Sequence, residues 1–473
     1  MKSIKYIMLA TVALASAVIT TSCSDDDDSA SSPISVSGVY LQDASSTVTV
    51  HNREVDFARL GQTIRIQGTG FSGLRHIYIN GYDTYFNNAL MTDNNVWVSL
   101  NSKTPIYDAK EEDRNTIRFV KDGTSFTYPF TVRAAAPSIS SISNCLPVAG
   151  EVVYVYGSNL QETNDVTLPS GTKVDAATIA NAVGEDAGKW FSFVMPAGET
   201  EGGSITAVCA NGTAISPAYF NNNAAYIINF DNLGSQGYWS WSETGSMCDP
   251  TDLVSDPLGT GRGNVAMLVP QRLLDNGGIA AGKTRASEWW TAGNDNADDD
   301  WNWMISAGIF EGASSLENIA VQFDIYCPRE WSATGQLQIS IQNNISFNGY
   351  GSDESKSSTT QTYVWLPWID ETTGKAAPFK TEGWKTVTIP LSKFSKYVNE
   401  IEDDQVPTFQ ELVDDRNGGS YRNFGFGFVN SDITVDGTEY PASVFNIPVY
   451  VDNFRLVPCE SKTVSDFPDE DEE

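Results

Sequence analysis

The chain has 473 residues, 41% of them hydrophobic, so it can bury several cores and is not a disordered polymer. Its formal net charge of −31 argues against nucleic acid and anionic lipid headgroups as partners, since both need a basic face. Strongly anionic polysaccharides are disfavoured for the same reason, which leaves a neutral ligand or a protein.

Residues 1–22 have the anatomy of a signal peptide. Lys2 and Lys5 precede an apolar run over 7–20 that is too short to span a bilayer as a mature helix. Next comes Ile19-Thr20-Thr21-Ser22-Cys23. Small residues before a cysteine resemble a bacterial lipobox, although no Leu stands at the usual place. The resemblance implies cleavage before Cys23 and lipidation there; the alternative is a plain secretory peptide. The acidic run 25–28 resembles the surface-export signal of lipoproteins from Bacteroidetes-type bacteria, and it opens an acidic, Ser-rich tether over 23–33. Together these imply an outer-membrane protein, lipid-anchored at Cys23 and facing the exterior. The other cysteines, Cys145, Cys209, Cys248, Cys327 and Cys459, are odd in number and lack a C-x-x-C. They read as small apolar residues, not as a disulfide framework or a zinc site.

A strand-rich unit is expected over 34–133. In its clearest segment, starting at Gly61, Ile64 and Ile66 alternate with polar residues and a glycine turn follows, so this is a half-buried strand. Further strands are expected near 74–81, 116–120 and 125–132. After the hinge Ala134-Ala135-Ala136-Pro137 the pattern returns, with Gly150, Val153, Val155, Gly157 and Leu160 matching Gly61, Ile64, Ile66, Gly68 and Phe71. The shared segment G-x-x-[VI]-x-[VI]-x-G-[ST]-x-[FL] resembles the immunoglobulin-like IPT/TIG domain, which implies one small β-sandwich over 34–133 and a second over 137–220. Trp97 and Trp190 are the only tryptophans of these units. They are expected in the sandwich cores, which makes the units rigid spacers; the alternative is that each unit binds ligand.

From Ala225 the composition turns rich in Trp and Asn. Strands are expected at 225–232, 317–327, 336–345, 361–368, 384–391, 422–429 and 448–457, with a single helical turn at 392–397 and no long helical period. One large C-terminal β-sandwich or jelly roll over 225–459 follows, with an acidic tail over 460–473. The fold class is therefore all-β.

Ten of the twelve tryptophans lie in this last part, four of them within 285–303 around a Gly/Asn/Asp loop. Flat aromatic faces beside amides and carboxylates are what a neutral sugar requires, because a β-linked pyranose has apolar ring faces and a polar rim. Trp289 and Trp290 are the first stacking candidates, since adjacent residues cannot both face one core. Trp301 and Trp303 point the same way if their segment is a strand, as a shared platform or a shared core layer, and Trp239 and Trp241 show the same alternation. Trp331 in a turn, and Tyr363 with Trp365 on one strand face, complete the aromatic set; Trp384 reads as structural. Glu288, Asn294, Asn296, Gln342 and Asn344 are rim candidates.

Phe230-Asp231-Asn232, the segment from Trp384 to Leu391 and Val451-Asp452-Asn453-Phe454 resemble carbohydrate-binding jelly-roll modules. With the lipobox, the acidic run and the tandem IPT-like units, the layout resembles the second surface glycan-binding protein of Sus-like polysaccharide-utilisation systems for β-glucan and xyloglucan. That resemblance implies non-catalytic capture of a neutral polysaccharide by the C-terminal domain, beside an outer-membrane importer and surface hydrolases. It also implies no cofactor beyond a possible structural calcium at Asp231 and Asp452, whose alternative is to satisfy backbone groups at strand ends. Two other readings stay open: a glycoside hydrolase with a jelly-roll catalytic domain, and a surface adhesin that binds protein.

Overall fold

The computed structural model describes residues 32–42, 52–231, 253–268, 285–344, 353–370 and 373–467. Cys23 and the acidic run 25–28, Trp239, Trp241 and Cys248 lie outside the described residues. The chain divides into two compact units, Met1–Ala134 and Ala135–Glu473, at the expected hinge.

In the first unit one sheet runs in the order Arg53–Glu54, Ser35–Leu41, Thr63–Thr69, Asn95–Ser99. The other runs Tyr82–Thr84, His76–Ile79, Thr116–Lys121, Thr124–Pro129. Both are antiparallel. Alternation sends Ile64, Ile66, Val96 and Val98 inward from one sheet and Ile77, Ile79, Ile117 and Phe119 from the other, all of them buried.

The repeated motif has a structural reason. At Gly68 a side chain would collide with the carbonyl of Ser35 on the first strand, and at Gly157 with that of Ser138. In each unit the first strand bulges where it passes that glycine, between Val36 and Gly38 and between Ile139 and Ser141. The apolar residue that ends each motif, Phe71 or Leu160, is fully buried.

The second unit holds the second Ig-like sandwich and the C-terminal domain. The sandwich pairs a sheet ordered Ser138–Ile142, Val152–Ser158, Trp190–Val194, Ala180–Asn181 with one ordered Asp165–Thr167, Thr206–Cys209, Gly212–Ile215. The C-terminal domain packs a six-stranded sheet on a four-stranded one. The first is ordered Leu253–Ser255, Asn264–Leu268, Val449–Pro458, Ile319–Tyr326, Lys385–Pro390, with Ala225–Ile228 also paired to Val449–Pro458. The second is ordered Arg285–Trp290, Gly425–Val429, Gln336–Ser340, Thr362–Trp365. Val321, Phe323, Ile325 and Phe454 face Leu337, Ile339, Phe426 and Phe428 across the core. The result is the expected all-β sandwich.

Two helices exceed the single expected turn. Ser395–Glu402 extends the turn begun at Leu391–Lys393, and Phe409–Gly418 begins at a capping box in which Thr408 and Glu411 satisfy each other's backbone amides. Both pack apolar residues on the sandwich core, among them Tyr397, Phe409, Leu412 and Val413.

The two parts of this unit share a core. Ala320 and Val457 of the six-stranded sheet pack among Val153, Val155, Phe193 and Phe220 of the Ig-like sandwich. Beside them Arg262 donates to Asp324 (2.6 Å), to Asn144 Oδ1 (3.1 Å) and to the Leu146 carbonyl (3.0 Å). Burial alone would raise the pKa of Asp324; Arg455 and Arg262 outweigh it and hold the carboxyl below its ordinary range. Cys145, Cys209 and Cys327 are buried as expected, and Cys459 is half-buried.

Candidate functional site

The four-stranded sheet decides where the tryptophans go. Trp289 and Trp290 leave strand Arg285–Trp290 on opposite faces, yet both are covered. Trp289 is 1% exposed, with its ring edge-on to Phe230 at 5.3 Å. Trp290 is 3% exposed; its ring lies over Gly425 of the neighbouring strand, in space a side chain would fill, and its Nε1 donates to Glu288 Oε1 at 2.7 Å. The expectation that this pair meets a ligand is therefore corrected: with no free ring face, neither can stack on a sugar.

Trp301 and Trp303 part company because their segment is a helix and not a strand. Trp301 caps helix Asn302–Ser306 and enters the core, where the guanidinium of Arg416 lies 3.5 Å from its ring centre. Trp303 stays half-buried, its Nε1 donating to the Asp298 carbonyl at 3.0 Å. Trp331 and Trp365 are also core residues, packed against each other at 6.3 Å with Phe428 and Phe445 beside Trp331 and Phe323 and Phe379 beside Trp365. Tyr363 is half-buried against Phe394. Trp384 is buried, as expected of a structural residue, and its Nε1 donates to Asp256 at 3.1 Å.

The polar candidates are mostly committed to the fold. Gln342 is buried and donates to the carbonyls of Asp415 and Arg416, Asn344 donates to Gln361, and Asn296 caps the Asp298 amide. Asp231 accepts from the Asn264 amide (2.6 Å), and both oxygens of Asp452 accept from Asn453 (2.8 Å each). Asp231 thus serves the amide that opens strand Asn264–Leu268, and Asp452 serves the backbone and side-chain amides of Asn453 within strand Val449–Pro458. Among the described residues no group of three or more His, Cys, Asp or Glu is gathered that could hold a metal ion. Burial, with the neighbouring Asp324, pushes the Asp452 carboxyl up to about 8.

The Gly/Asn/Asp loop after Trp290 is held in place by the segment that follows helix Phe409–Gly418. Asn294 donates to the Ser420 carbonyl (2.9 Å), Asn423 to the Thr291 carbonyl, and the Gly293 amide to Asp299 (2.5 Å). Arg422 pairs with Asp300 at 3.4 Å. Beneath them Arg416 donates to the carbonyls of Ile341 and Asp299. Burial pushes the Asp299 carboxyl up to about 6 and the Arg416 guanidinium down to about 9. What the clasp leaves outside is Tyr421, 59% exposed, with exposed Asn294, Asp295 and Asp298 and the half-buried Trp303. Among the described residues this is an exposed aromatic and amide surface of the C-terminal domain. The sequence reading missed Tyr421, although an aromatic in Gly418-Gly419-Ser420-Tyr421 carries the same signal that drew attention to the tryptophans.

The Ig-like units also depart from expectation, because neither tryptophan lies in a core. Trp97 projects outward between the buried Val96 and Val98, its Nε1 donating to Gln42 at 3.1 Å. Trp190 stands half-buried on an outer sheet face, 5.4 Å from Tyr154; Tyr154 and its neighbour Tyr156 are exposed, their ring planes within 18° of each other.

Residues 220–458, just over half the chain, match the family model for the surface glycan-binding protein B xyloglucan-binding domain. The chain belongs to this family. An IPT/TIG domain-containing protein of Bacteroides ovatus is 25% identical over 334 residues, covering 69% of this chain and 54% of that protein. The chain thus spans about half the length of this curated relative. A surface glycan-binding protein from Prevotella bryantii has the same fold, with a TM-score of 0.59 at 17% identity over 91% of this chain and 100% of that one. A surface glycan-binding protein from a xyloglucan utilisation locus in Bacteroides uniformis aligns over 90% of this chain and 100% of its own, at 17% identity and a TM-score of 0.43. Within this family the Ig-like units and the C-terminal sandwich form the architecture expected from the sequence.

Proposed function

We propose that the protein captures a neutral polysaccharide of the β-glucan class, xyloglucan foremost, at the outer cell surface and holds it without cleaving it. The observation that carries this reading is the match of residues 220–458 to the xyloglucan-binding family. The exposed surface around Tyr421 suits such a ligand: the tyrosine and Trp303 offer faces for the apolar side of a pyranose, and the loop around Asn294 offers polar groups for its hydroxyls. The loop is fixed before ligand arrives, so little ordering entropy opposes binding. Lipidation at Cys23 would tether the chain outside the cell, where it would serve an outer-membrane importer and surface hydrolases of a Sus-like system. The reading needs no metal or other cofactor.

Calorimetry of the full chain against xyloglucan, mixed-linkage β-glucan and β-1,3-glucan tests it, with reducing ends followed in parallel. Binding to at least one polymer at a Kd of roughly micromolar strength is expected, with no rise in reducing ends over hours. Tyr421→Ala should weaken that binding by about 2 kcal/mol. Accumulating reducing ends would establish the hydrolase alternative, and no heat with any glucan would remove the reading.

A further inference from the structure

The first Ig-like unit carries a groove that a spacer does not require. It lies at the edge strand Asn95–Ser99, where the chain leaving Tyr82–Thr84 crosses over and Phe86 bridges Val98. The groove has a volume of about 620 Å³ and is walled by Tyr82, Tyr85, Phe86 and Trp97, with Asn87 and Asn101 on its rim. Tyr85 is 81% exposed and Leu90, at the same groove, 61%. An exposed aromatic and an exposed aliphatic side chain gathered at one groove form an apolar patch, and a patch, unlike a lone residue, marks an interaction site. The Gln42 side chain holds the Trp97 indole from behind its N–H, at 3.1 Å. Asn87 and Asn101 each spend their carbonyl oxygen on a turn amide, of Ala89 (2.9 Å) and Lys103 (2.8 Å), and keep their N–H donors. Among the described residues of the lining the one charged side chain is Asp83, bonded to His76 Nδ1 at 3.0 Å.

We infer that this groove is a second binding site for the neutral glucan chain, on the first Ig-like unit. The lining decides the ligand class. Aromatic walls with amide and hydroxyl groups, and a single carboxylate already bonded, match a ring with apolar faces and a hydroxyl rim. Among the described lining residues no basic side chain meets an anionic ligand. The inference rests on the proposed glucan binding for its ligand but not for its location. Two modest sites on one chain let a long polymer engage both, so polymer should bind more tightly than an oligosaccharide that reaches only one.

The test titrates the full chain, wild type and Tyr85→Ala, with xyloglucan polymer and with xyloglucan oligosaccharide. Tyr85 is exposed, so the variant should melt as wild type does; Leu90→Asp provides a second disruption that leaves the core untouched. Wild type is expected to bind two oligosaccharides, and each variant one. Polymer affinity should fall about tenfold or more in both variants. A stoichiometry of one in wild type, or variants with unchanged stoichiometry and polymer affinity, would overturn the second site while leaving the C-terminal one standing. Wild type that binds no glucan would instead overturn the proposed function, and the second site with it.

Discussion

Trp289 and Tyr421 behave oppositely although the sequence places both beside turn-rich segments. Trp289→Ala empties a buried site under Phe230 and should cost about 3–5 kcal/mol of stability, read as a large fall in Tm. Tyr421→Ala should leave Tm unchanged and alter only glycan affinity, because the side chain is exposed. The residue types of the site were legible in the sequence; their burial was not. Trp290 is covered because Gly425 leaves a slot for its ring, and nothing near Trp290 in the chain reveals that partner. Trp301 and Trp303 do not share one face because a helical turn, unlike a strand, separates residues two apart; Trp301 takes the core role the sequence left open. Asp452 gives a pH-dependent prediction at the same scale. Its carboxyl is raised in the folded state to about 8, so the native chain holds a proton that the unfolded chain releases nearer the ordinary value of 3.8. The stabilisation is complete below the unfolded pKa and is lost as pH rises through the folded one, so stability falls between about pH 4 and pH 8. Asp452→Asn should therefore melt higher than wild type at pH 8, by about 1 kcal/mol or more, with the gap closing towards pH 4. Denaturant melts across that range check both the sign and the convergence.

Among the elements, the strands with clean alternation were legible. Thr63–Thr69 and Val152–Ser158 lie where the repeated motif put them, because the motif itself contains the glycine that the bulged first strand requires. Helix Phe409–Gly418 was not foreseen, although Thr408 and Glu411 spell its cap; a short amphipathic run between strands carries little periodicity to read. The boundary at 225 was legible as a change of composition but not as a packed junction. Arg262 reaches Asp324 and two acceptors on the Ig-like sandwich at once. Arg262→Ala leaves those acceptors bare in a buried setting and should cost about 3–5 kcal/mol. A fragment starting at 225 should accordingly melt lower than one starting at 135, since it also exposes Ala320 and Val457. Equal melting temperatures for the two fragments would show that the junction contributes nothing.

The whole molecule joins Ig-like units to a larger sandwich of the surface glycan-binding family, and the proposed lipid at Cys23 would hold it at the cell surface. Among the described residues no helix is long and apolar enough to cross a membrane. If the proposed lipid at Cys23 is the anchor, Cys23→Ala should move the protein from the membrane to the soluble fraction, and continued sedimentation with membranes would count against it. The most direct measurement is affinity electrophoresis of the full chain in native gels cast with xyloglucan, mixed-linkage β-glucan, β-1,3-glucan or an anionic polysaccharide. Retarded migration in at least one neutral β-glucan, reduced in Tyr421→Ala, and unretarded migration in the anionic polymer are predicted. Unchanged mobility in every neutral glucan would contradict the account.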